Sequence, residues 1–246
     1  MPSYPLFALS TLVLLLSACQ GVPGGPAPVA AHRTAWEQKQ PGCAGDSCPL
    51  VNIDTLTFPD DPTLTALTEQ ALLTMTRDTP KAPLPPSLRA YEQQFLSHAE
   101  AGWSSYLQAK VREQHDDLVI IELSSYLATG GAHGMPGRGF LNYQRSRQQV
   151  LSLQQMLLPG QEEAFWSAVQ LAHQAWLKAE KLDQDSAFTG NWPFQRSPNI
   201  ALTRGALSLK YDVYSIAPYA MGHPELKVPY ARLKGILKPE FFPHPI

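Results

Sequence analysis

The alternation of apolar and polar positions predicts several strands in the first half of the folded region. Segment 49–58, PLVNIDTLTF, alternates around valine, isoleucine and leucine and predicts a short strand. Segment 117–129 is rich in β-branched and aromatic residues and predicts a second strand, with residues 138–145 as its antiparallel partner. Residues 103–113 fit either a strand or a helix.

Three other segments have the periodicity of a helix. Asp60 or Asp61 can cap a helix that begins at Pro62, because proline suits the first helical position. A second helix is predicted from Ser87, and segment 160–181 predicts the longest one, with acidic residues in its first turn and lysines near its last. The predicted apolar face of this third helix consists of Phe165, Ala168, Leu171, Ala172, Ala175 and Ala179.

The C-terminal third predicts only short elements. They are a strand running into a helical turn at 149–157, two strands at 200–203 and 206–214 joined at Arg204 and Gly205, a strand at 226–230, and a helical turn at 231–237. Helices packed on a mostly antiparallel sheet give an α+β fold. We expect this fold in two small consecutive subdomains, residues 48–147 and 148–238, followed by a tail at 239–246.

The N-terminus predicts export and lipidation. The apolar stretch 6–16 is shorter than the roughly 20 residues that span a bilayer, so residues 1–18 are interpreted as a signal peptide. LSAC, ending at Cys19, resembles the bacterial lipobox, in which the cysteine is diacylated; the alternative is an ordinary signal peptide with a chance cysteine. By resemblance to Gram-negative lipoproteins, Gln20 implies an outer-membrane, periplasm-facing anchor, with surface exposure left open.

Residues 19–47 combine a predicted tether with two cysteines. Glycine, proline and alanine dominate the start of this segment without apolar periodicity, which predicts a flexible to semi-extended tether. In an oxidising compartment Cys43 and Cys48 favour a disulfide, which would contribute roughly 2 kcal/mol across so short a loop. The alternative is a metal or redox pair, although the spacing is not CxxC and no second pair exists.

Charge and motifs argue against several classes of function. A net charge of −2 and a pI near 6.4 exclude a basic nucleic-acid binder. The chain has neither GxSxG nor HExxH, and its seven histidines show no short ligand spacing. Segment 183–191, DQDSAFTGN, is similar to a calcium loop but lacks the glycine and glutamate of that pattern. We therefore expect no catalytic residue, metal or cofactor.

The segment YLATGGAHGMPG, residues 126–137, lies between two predicted strands. Gly130, Gly131 and Gly134 allow positive φ, and N–H groups exposed in such a turn can bind an anion or a carbonyl group. His133 could then donate to a glycan or to a carboxylate of a partner. The alternative is a wide hairpin turn in which His133 is bound to a backbone carbonyl.

The segment YDVYSIAPYAMG, residues 211–222, brings three tyrosines together. Tyrosine supplies amphipathic area for sugar stacking or for a protein interface. The alternative is a set of core aromatics whose hydroxyls bind the backbone, with Tyr219 as the best exposed candidate. The candidate ligand-binding residues are Gly130, Gly131, His133, Gly134, Tyr214 and Tyr219.

Five pieces in a fixed order resemble a pair of bacterial envelope domains. The pieces are SYLATGGAHG (125–134), FLNYQ (140–144), LSLQQML (151–157), IAPYAMG (216–222) and VPY (228–230). The N-terminal subdomain resembles the region preceding the catalytic module of PdaC-type peptidoglycan deacetylases. The C-terminal subdomain resembles the region that these enzymes share with RsiV-type, lysozyme-binding anti-sigma factors. The resemblance covers roughly residues 48–238.

The resemblance implies a lipid-tethered binding protein. Its expected partner is a lysozyme-type muramidase or peptidoglycan, and the glycine loop and the tyrosines would form the contact. Because the sequence holds no deacetylase module and no sigma-binding segment, we expect neither activity. The alternative is a structural cell-envelope lipoprotein with no specific ligand.

Overall fold

A computed structural model describes residues 27–244, so the predicted signal peptide, Cys19 and the start of the tether lie outside the described residues. The strands are β1 His32–Lys39, β2 Leu50–Thr57, β3 Ser104–His115, β4 Leu118–Ala128, β5 Met135–Gln144, β6 Gln149–Val150, β7 Ile200–Leu202, β8 Leu207–Lys210 and β9 Glu225–Val228. The helices are α1 Pro62–Thr74, α2 Leu88–His98, α3 Leu153–Met156, α4 Glu162–Ala179 and α5 Ser186–Asn191. Between residues 27 and 244 no helix is long and apolar enough to cross a bilayer.

The predicted α+β fold is confirmed. Six strands form one sheet in the order β1-β2-β3-β4-β5-β6, and three form a second in the order β7-β8-β9. Every strand pair is antiparallel except β2 and β3, which are parallel because α1 and α2 cross between them. We call residues 32–150 the N-terminal lobe and residues 151–244 the C-terminal lobe.

Each face of the six-stranded sheet packs on a separate core. On one face, α1 and α2 cover a core that includes Ile53, Leu72 and Ile121. On the other face, Leu118 and Ile120 of β4 join the core of the C-terminal lobe. Alternate residues of one strand therefore contribute to both cores, and the sheet is shared by the two lobes.

The helix starts follow the predicted capping signals. The Asp61 carboxylate accepts a hydrogen bond from the Leu64 N–H at 2.9 Å, and Pro62 is the first helical residue. The same carboxylate accepts a bond from the Tyr143 hydroxyl at 2.7 Å, which ties the start of α1 to β5. Ser87 caps α2 by accepting from the Ala90 N–H at 3.1 Å.

A buried asparagine joins the two sheets. Asn142 of β5 is 3% exposed, and its side-chain amide donates to the Ile200 carbonyl at 2.7 Å. Its side-chain oxygen accepts from the Leu202 N–H, also at 2.7 Å. Strand β7 is an edge strand, and these bonds satisfy backbone groups that burial would otherwise leave without partners.

An ion-pair group also connects the lobes. Glu122 of β4 pairs with Lys210 of β8 and, at 3.2 Å, with Arg112 of β3. Arg112 also lies 3.5 Å from Glu225 of β9. Burial alone would raise the pKa of the Glu122 carboxyl, but the bond from Lys210 and the charge of Arg112 outweigh it, so this pKa lies below its usual value.

This lowered pKa predicts acid sensitivity of the contact between the lobes. The stabilising contribution of Glu122 is present above the unfolded-state pKa near 4.5 and is lost as the pH falls through the lower folded-state value. In urea unfolding between about pH 3 and pH 7, Glu122→Gln should therefore be less stable than wild type near neutrality, and the difference should shrink in acid. A difference that does not change with pH would contradict this assignment.

The predicted disulfide is present. Cys43 and Cys48 are bonded across the loop that connects β1 to β2, with their Cα atoms 5.7 Å apart. Cys48 is buried, and the neighbouring Ser47 carbonyl accepts a hydrogen bond from the Gly102 N–H at 2.7 Å. The bridge therefore holds the loop against the start of β3.

Removing this disulfide should have a modest effect on stability. The cross-link constrains only a short loop of the unfolded chain, so the double variant Cys43→Ser/Cys48→Ser should lose about 2 kcal/mol of unfolding free energy. Urea unfolding with and without a reductant measures this loss. The reductant should shift the wild-type transition and leave that of the double variant unchanged.

The tether predicted within residues 19–47, ahead of the disulfide loop, is wrong for residues 32–39. These residues form β1, which pairs with β2 over its whole length, from His32 opposite Thr57 to Lys39 opposite Leu50. As an edge strand β1 is exposed on both faces, and only Trp36 is half-buried, with the Arg89 guanidinium 4.0 Å from its ring centroid. A strand that is held by backbone pairing and buries few side chains does not need alternating apolar and polar residues, so its sequence does not reveal it as a strand.

The chain enters the fold at a fixed point just before β1. The Val29 N–H donates to the side-chain oxygen of Gln114 at 2.8 Å, and the Val29 carbonyl accepts from the Gln114 amide at 2.9 Å. Gln114 lies near the C-terminal end of β3. One side chain thus fixes both backbone groups of Val29 beside the β3–β4 turn.

The predicted apolar face of α4 is partly wrong. Leu171 is 47% exposed, and Ala175 and Ala179 are also exposed. The buried positions of this helix are Phe165, Trp166, Ala168, Val169, Ala172, His173 and Leu177. The sequence of α4 is compatible with more than one apolar face along the helix. In the structure, the face that carries the larger side chains packs against β9.

The structure defines the secondary structure of two further segments that the sequence left open or suggested wrongly. The ambiguous segment 103–113 belongs to strand β3, which pairs with β2 and β4. The segment compared with a calcium loop contains α5, in which the Asp185 carboxylate accepts from the Phe188 N–H at 2.9 Å. An aspartate that appeared to be part of an ion-binding pattern therefore caps a helix.

Candidate functional site

The loop between β4 and β5 is exposed and its shape depends on glycine. Residues 129–133 are all exposed, and Gly130 and Gly131 have φ of +94° and +88°, in the range that favours glycine. Gly134 is buried, and its N–H donates to the Tyr126 hydroxyl at 3.1 Å. A Cβ at Gly134 would lie 2.7 Å from that hydroxyl and 2.8 Å from the Leu127 carbonyl, so the backbone approaches too closely for a larger residue.

His133 connects this loop to the tyrosines of the C-terminal lobe. Its ring stacks on Tyr219, with centroids 3.9 Å apart and planes at 27°. Its Nδ1–H donates to the Gly134 carbonyl at 3.1 Å, and its Nε2 lies at hydrogen-bond distance, 3.2 Å, from the Tyr214 hydroxyl. The Tyr219 hydroxyl donates to the same Gly134 carbonyl at 3.1 Å. His133 thus both binds a backbone carbonyl and contacts the two tyrosines.

Tyr214 projects from the surface in a strained conformation. Its φ is +65°, which a bulky residue adopts at a cost of about 1–3 kcal/mol, and strain of this kind concentrates at functional sites. The side chain is 46% exposed, although the nearby Val213 and Ile216 are buried in the core. The buried neighbours hold the backbone in place while the phenol ring faces solvent. The expectation that Tyr219 is the best exposed tyrosine is therefore wrong, since Tyr219 is only half-exposed.

Two aromatic residues that the sequence did not single out complete the group. The Trp192 ring lies nearly parallel to Tyr214, with centroids 6.3 Å apart and planes at 25°. Tyr126 supports the loop through its bond to Gly134. We call Tyr126, His133, Trp192, Tyr214 and Tyr219 the aromatic cluster. Trp192 lies in a polar, proline-containing connection. In the sequence, only the fact that it is a tryptophan could have indicated a role in a contact surface.

Residues behind the aromatic cluster are structural. Tyr211 is almost fully buried and donates to the Gln195 carbonyl at 2.9 Å, and burial raises the pKa of its phenol. Asp212 accepts a bond from the Arg138 N–H of β5 at 2.7 Å, and burial raises the pKa of its carboxyl. These bonds fix the start of the tyrosine segment against the N-terminal lobe.

The chemistry of the cluster suits recognition. It combines exposed ring faces, tyrosine hydroxyls and the N–H groups of an exposed loop, which is the composition of protein and ligand contact surfaces. In the part of the chain that the structure describes, no group of three or more His, Cys, Asp or Glu side chains is placed to hold a metal ion.

Comparison with known proteins identifies the family. A model described as a protein of unknown function, DUF3298, matches residues 155–231, and no curated protein matches the chain. A crystal structure of a DUF3298 family protein from Pseudomonas aeruginosa PAO1 is 67% identical, has a TM-score of 0.86, and covers 89% of this chain and 98% of that chain. A member of the family from Bacteroides fragilis NCTC 9343 is 17% identical, with a TM-score of 0.67 and coverage of 86% and 93%, and shows the same fold. The similarity to the Pseudomonas protein spans nearly its whole length, and the chain therefore belongs to the DUF3298 family.

Proposed function

We propose that the protein is a non-catalytic binding lipoprotein whose aromatic cluster inserts into the cleft of a lysozyme-type muramidase. The observation that carries the proposal is the exposed loop at residues 129–133 together with the strained, exposed Tyr214 beside it. The resemblance of residues 148–238 to RsiV-type domains supports the choice of partner.

The shape of the cluster favours insertion into a cleft. The loop and Tyr214 project from the surface, as expected of a segment that enters a concave partner. Aromatic residues at the centre of an interface contribute a large share of its binding energy. A muramidase cleft is built to accept a chain of sugar rings, and flat rings with hydroxyl groups match that shape.

The cluster is also held in place before binding. His133 and Tyr219 both bind the Gly134 carbonyl, and His133 and Tyr214 share a further hydrogen bond. The bonds made by Tyr214 and Tyr219 cross between the two lobes, so the cluster requires both. Rings fixed in advance lose less conformational entropy on binding, which raises affinity without new contacts.

Binding of hen-type lysozyme tests the proposal. We expect Tyr214→Ala and His133→Ala each to weaken binding at least about tenfold in calorimetry, as for residues at the centre of an interface. Leu171→Ala is the matched control, because Leu171 is equally exposed but lies on α4 outside the aromatic cluster. Full retention of binding by the double variant His133→Ala/Tyr219→Ala would remove the site assignment.

Peptidoglycan is the competing ligand for the same surface. The nearly parallel rings of Trp192 and Tyr214 could stack with sugar rings. Sedimentation with purified sacculi, in the absence of lysozyme binding, would favour this function. Binding to neither would favour a structural envelope lipoprotein.

The anchor is a separate part of the proposal. Acylation at Cys19 would give stable membrane attachment, because each buried CH₂ contributes about 0.8 kcal/mol. Metabolic labelling with palmitate should mark the wild-type protein in the outer-membrane fraction. Cys19→Ala should abolish the label, and a label that persists would contradict lipidation at this residue.

A further inference from the structure

A groove beside α2, on the face of the six-stranded sheet that α1 and α2 cover, contains three neighbouring aromatic rings. Tyr91 and Phe95 of α2 have ring centroids 6.1 Å apart, and Phe95 and Trp103 have centroids 6.4 Å apart. Phe95 and Trp103 are only half-buried, so parts of their rings form the groove surface. We call these three residues the aromatic row.

The walls of the groove come from two connections. Pro83 and Pro85 of the α1–α2 connection form one wall, and Leu127 at the end of β4 contributes to the other. Leu127 is exposed and directly precedes the segment that carries the glycine loop. The groove and the aromatic cluster therefore lie at the same end of the sheet.

Polar groups of both kinds border the aromatic row. The Arg77 Nε is buried and has no hydrogen-bond partner among the described residues, while Nη1 of Arg77 donates to the Pro80 carbonyl at 3.3 Å. The Asp78 carboxylate is exposed on the groove wall, and it adds to the effect of burial in raising the pKa of the Tyr91 phenol. The groove is thus lined by a guanidinium group and a carboxylate acceptor beside ring faces.

We propose that this groove is a second binding site, which takes a neutral saccharide of more than one ring. The apolar C–H face of a sugar packs on an aromatic ring, and the half-buried rings of Phe95 and Trp103 provide for two successive sugars, with the buried Tyr91 behind them. Sugar hydroxyls both donate and accept, so they can pair with the Arg77 guanidinium and with the Asp78 carboxylate, which both line the groove. A saccharide can therefore contact both the aromatic rings and the polar side chains of the groove.

A proline-rich peptide is the other ligand that aromatic grooves accept, and it fits less well. Such peptides present backbone carbonyls but few N–H groups, because proline has no backbone donor. The peptide carbonyls could accept hydrogen bonds from Arg77. The Asp78 carboxylate, however, would be shielded from water by the peptide without receiving a hydrogen bond from it. The carboxylate in the groove therefore favours the saccharide.

Calorimetry with soluble trisaccharides tests the second site. The probes are chitotriose, cellotriose and maltotriose, and at least one should bind the wild-type protein in the millimolar range or tighter. Asp78→Ala changes an exposed residue and should weaken that binding at least about tenfold. Phe95→Leu keeps apolar volume under the groove while removing the ring, and should weaken binding similarly.

The controls separate this site from the aromatic cluster. Tyr214→Ala should leave trisaccharide binding unchanged, and Asp78→Ala should leave lysozyme binding unchanged. The proposal is overturned if none of the three sugars binds, if Asp78→Ala binds as well as wild type, or if Tyr214→Ala abolishes sugar binding. Preferential binding of a proline-rich peptide, lost in Phe95→Leu, would also overturn it.

Discussion

Replacement of Asn142 by alanine should lower the unfolding free energy by about 4 kcal/mol, because two buried backbone groups lose their partners. Strand β7 pairs with β8 on one side and has a free edge that faces β5. On this edge, among the described residues, the Asn142 side chain is the only partner of the Ile200 carbonyl and of the Leu202 N–H. Urea unfolding measures the loss. The C-terminal lobe should separate from β5 first, which would appear as early exchange of the β7 amide hydrogens.

Asn52→Ala is the matched control for this change. Asn52 is the same residue type on β2, but its side chain is bound only to the exposed Glu37, at 3.1 Å. Its replacement should alter stability by less than about 0.5 kcal/mol. Equal losses at the two asparagines would show that Asn142 does not act as a connection between the sheets.

Gly134→Val should abolish binding at the aromatic cluster and also lower the unfolding free energy by about 1–3 kcal/mol. The added carbons would overlap the Tyr126 hydroxyl and the Leu127 carbonyl, so the loop must move away from β4. That movement displaces the carbonyl on which His133 and Tyr219 converge. Lysozyme calorimetry combined with thermal unfolding separates loss of the site from loss of the fold.

Gly205→Ala is a control at a glycine with open space around it. Nothing lies within 4 Å of a Cβ at this position, and its φ is not in the range that disfavours side chains. Gly205→Ala should therefore keep both stability and binding. If Gly134→Val bound lysozyme as well as Gly205→Ala does, the loop would not shape the site.

Most elements could be predicted because they bury one face. The strand at 50–57 and the helices that begin at Pro62 and Leu88 follow directly from alternation and capping residues. Strand β1 could not be predicted, since it buries almost nothing and is held by backbone pairing with β2. The face of α4 was uncertain because alanines occur around the helix, and the sequence does not tell which of them face the core.

The candidate site could be predicted only in part, because its residues come from separate segments that the fold brings together. His133, Gly134, Tyr214 and Tyr219 stand in two recognisable motifs, and the structure brings these motifs together. Trp192 comes from a third segment, and its contact with Tyr214 depends on how α5 packs. The aromatic row likewise joins Phe95 and Trp103 from consecutive elements, and no spacing rule relates them.

The bond between Gln114 and Val29 fixes where the N-terminal part of the chain joins the six-stranded sheet. It places the point where the chain enters at the β3–β4 turn, whereas the glycine loop and the saccharide groove lie at the opposite end of these strands. A strand of 12 residues spans about 40 Å at about 3.3 Å per residue. With the chain anchored through Cys19 as proposed, the tether would join the fold about 40 Å from both sites. The length of β3 would then add to the reach of the tether and extend the distance from the membrane at which ligands can be captured.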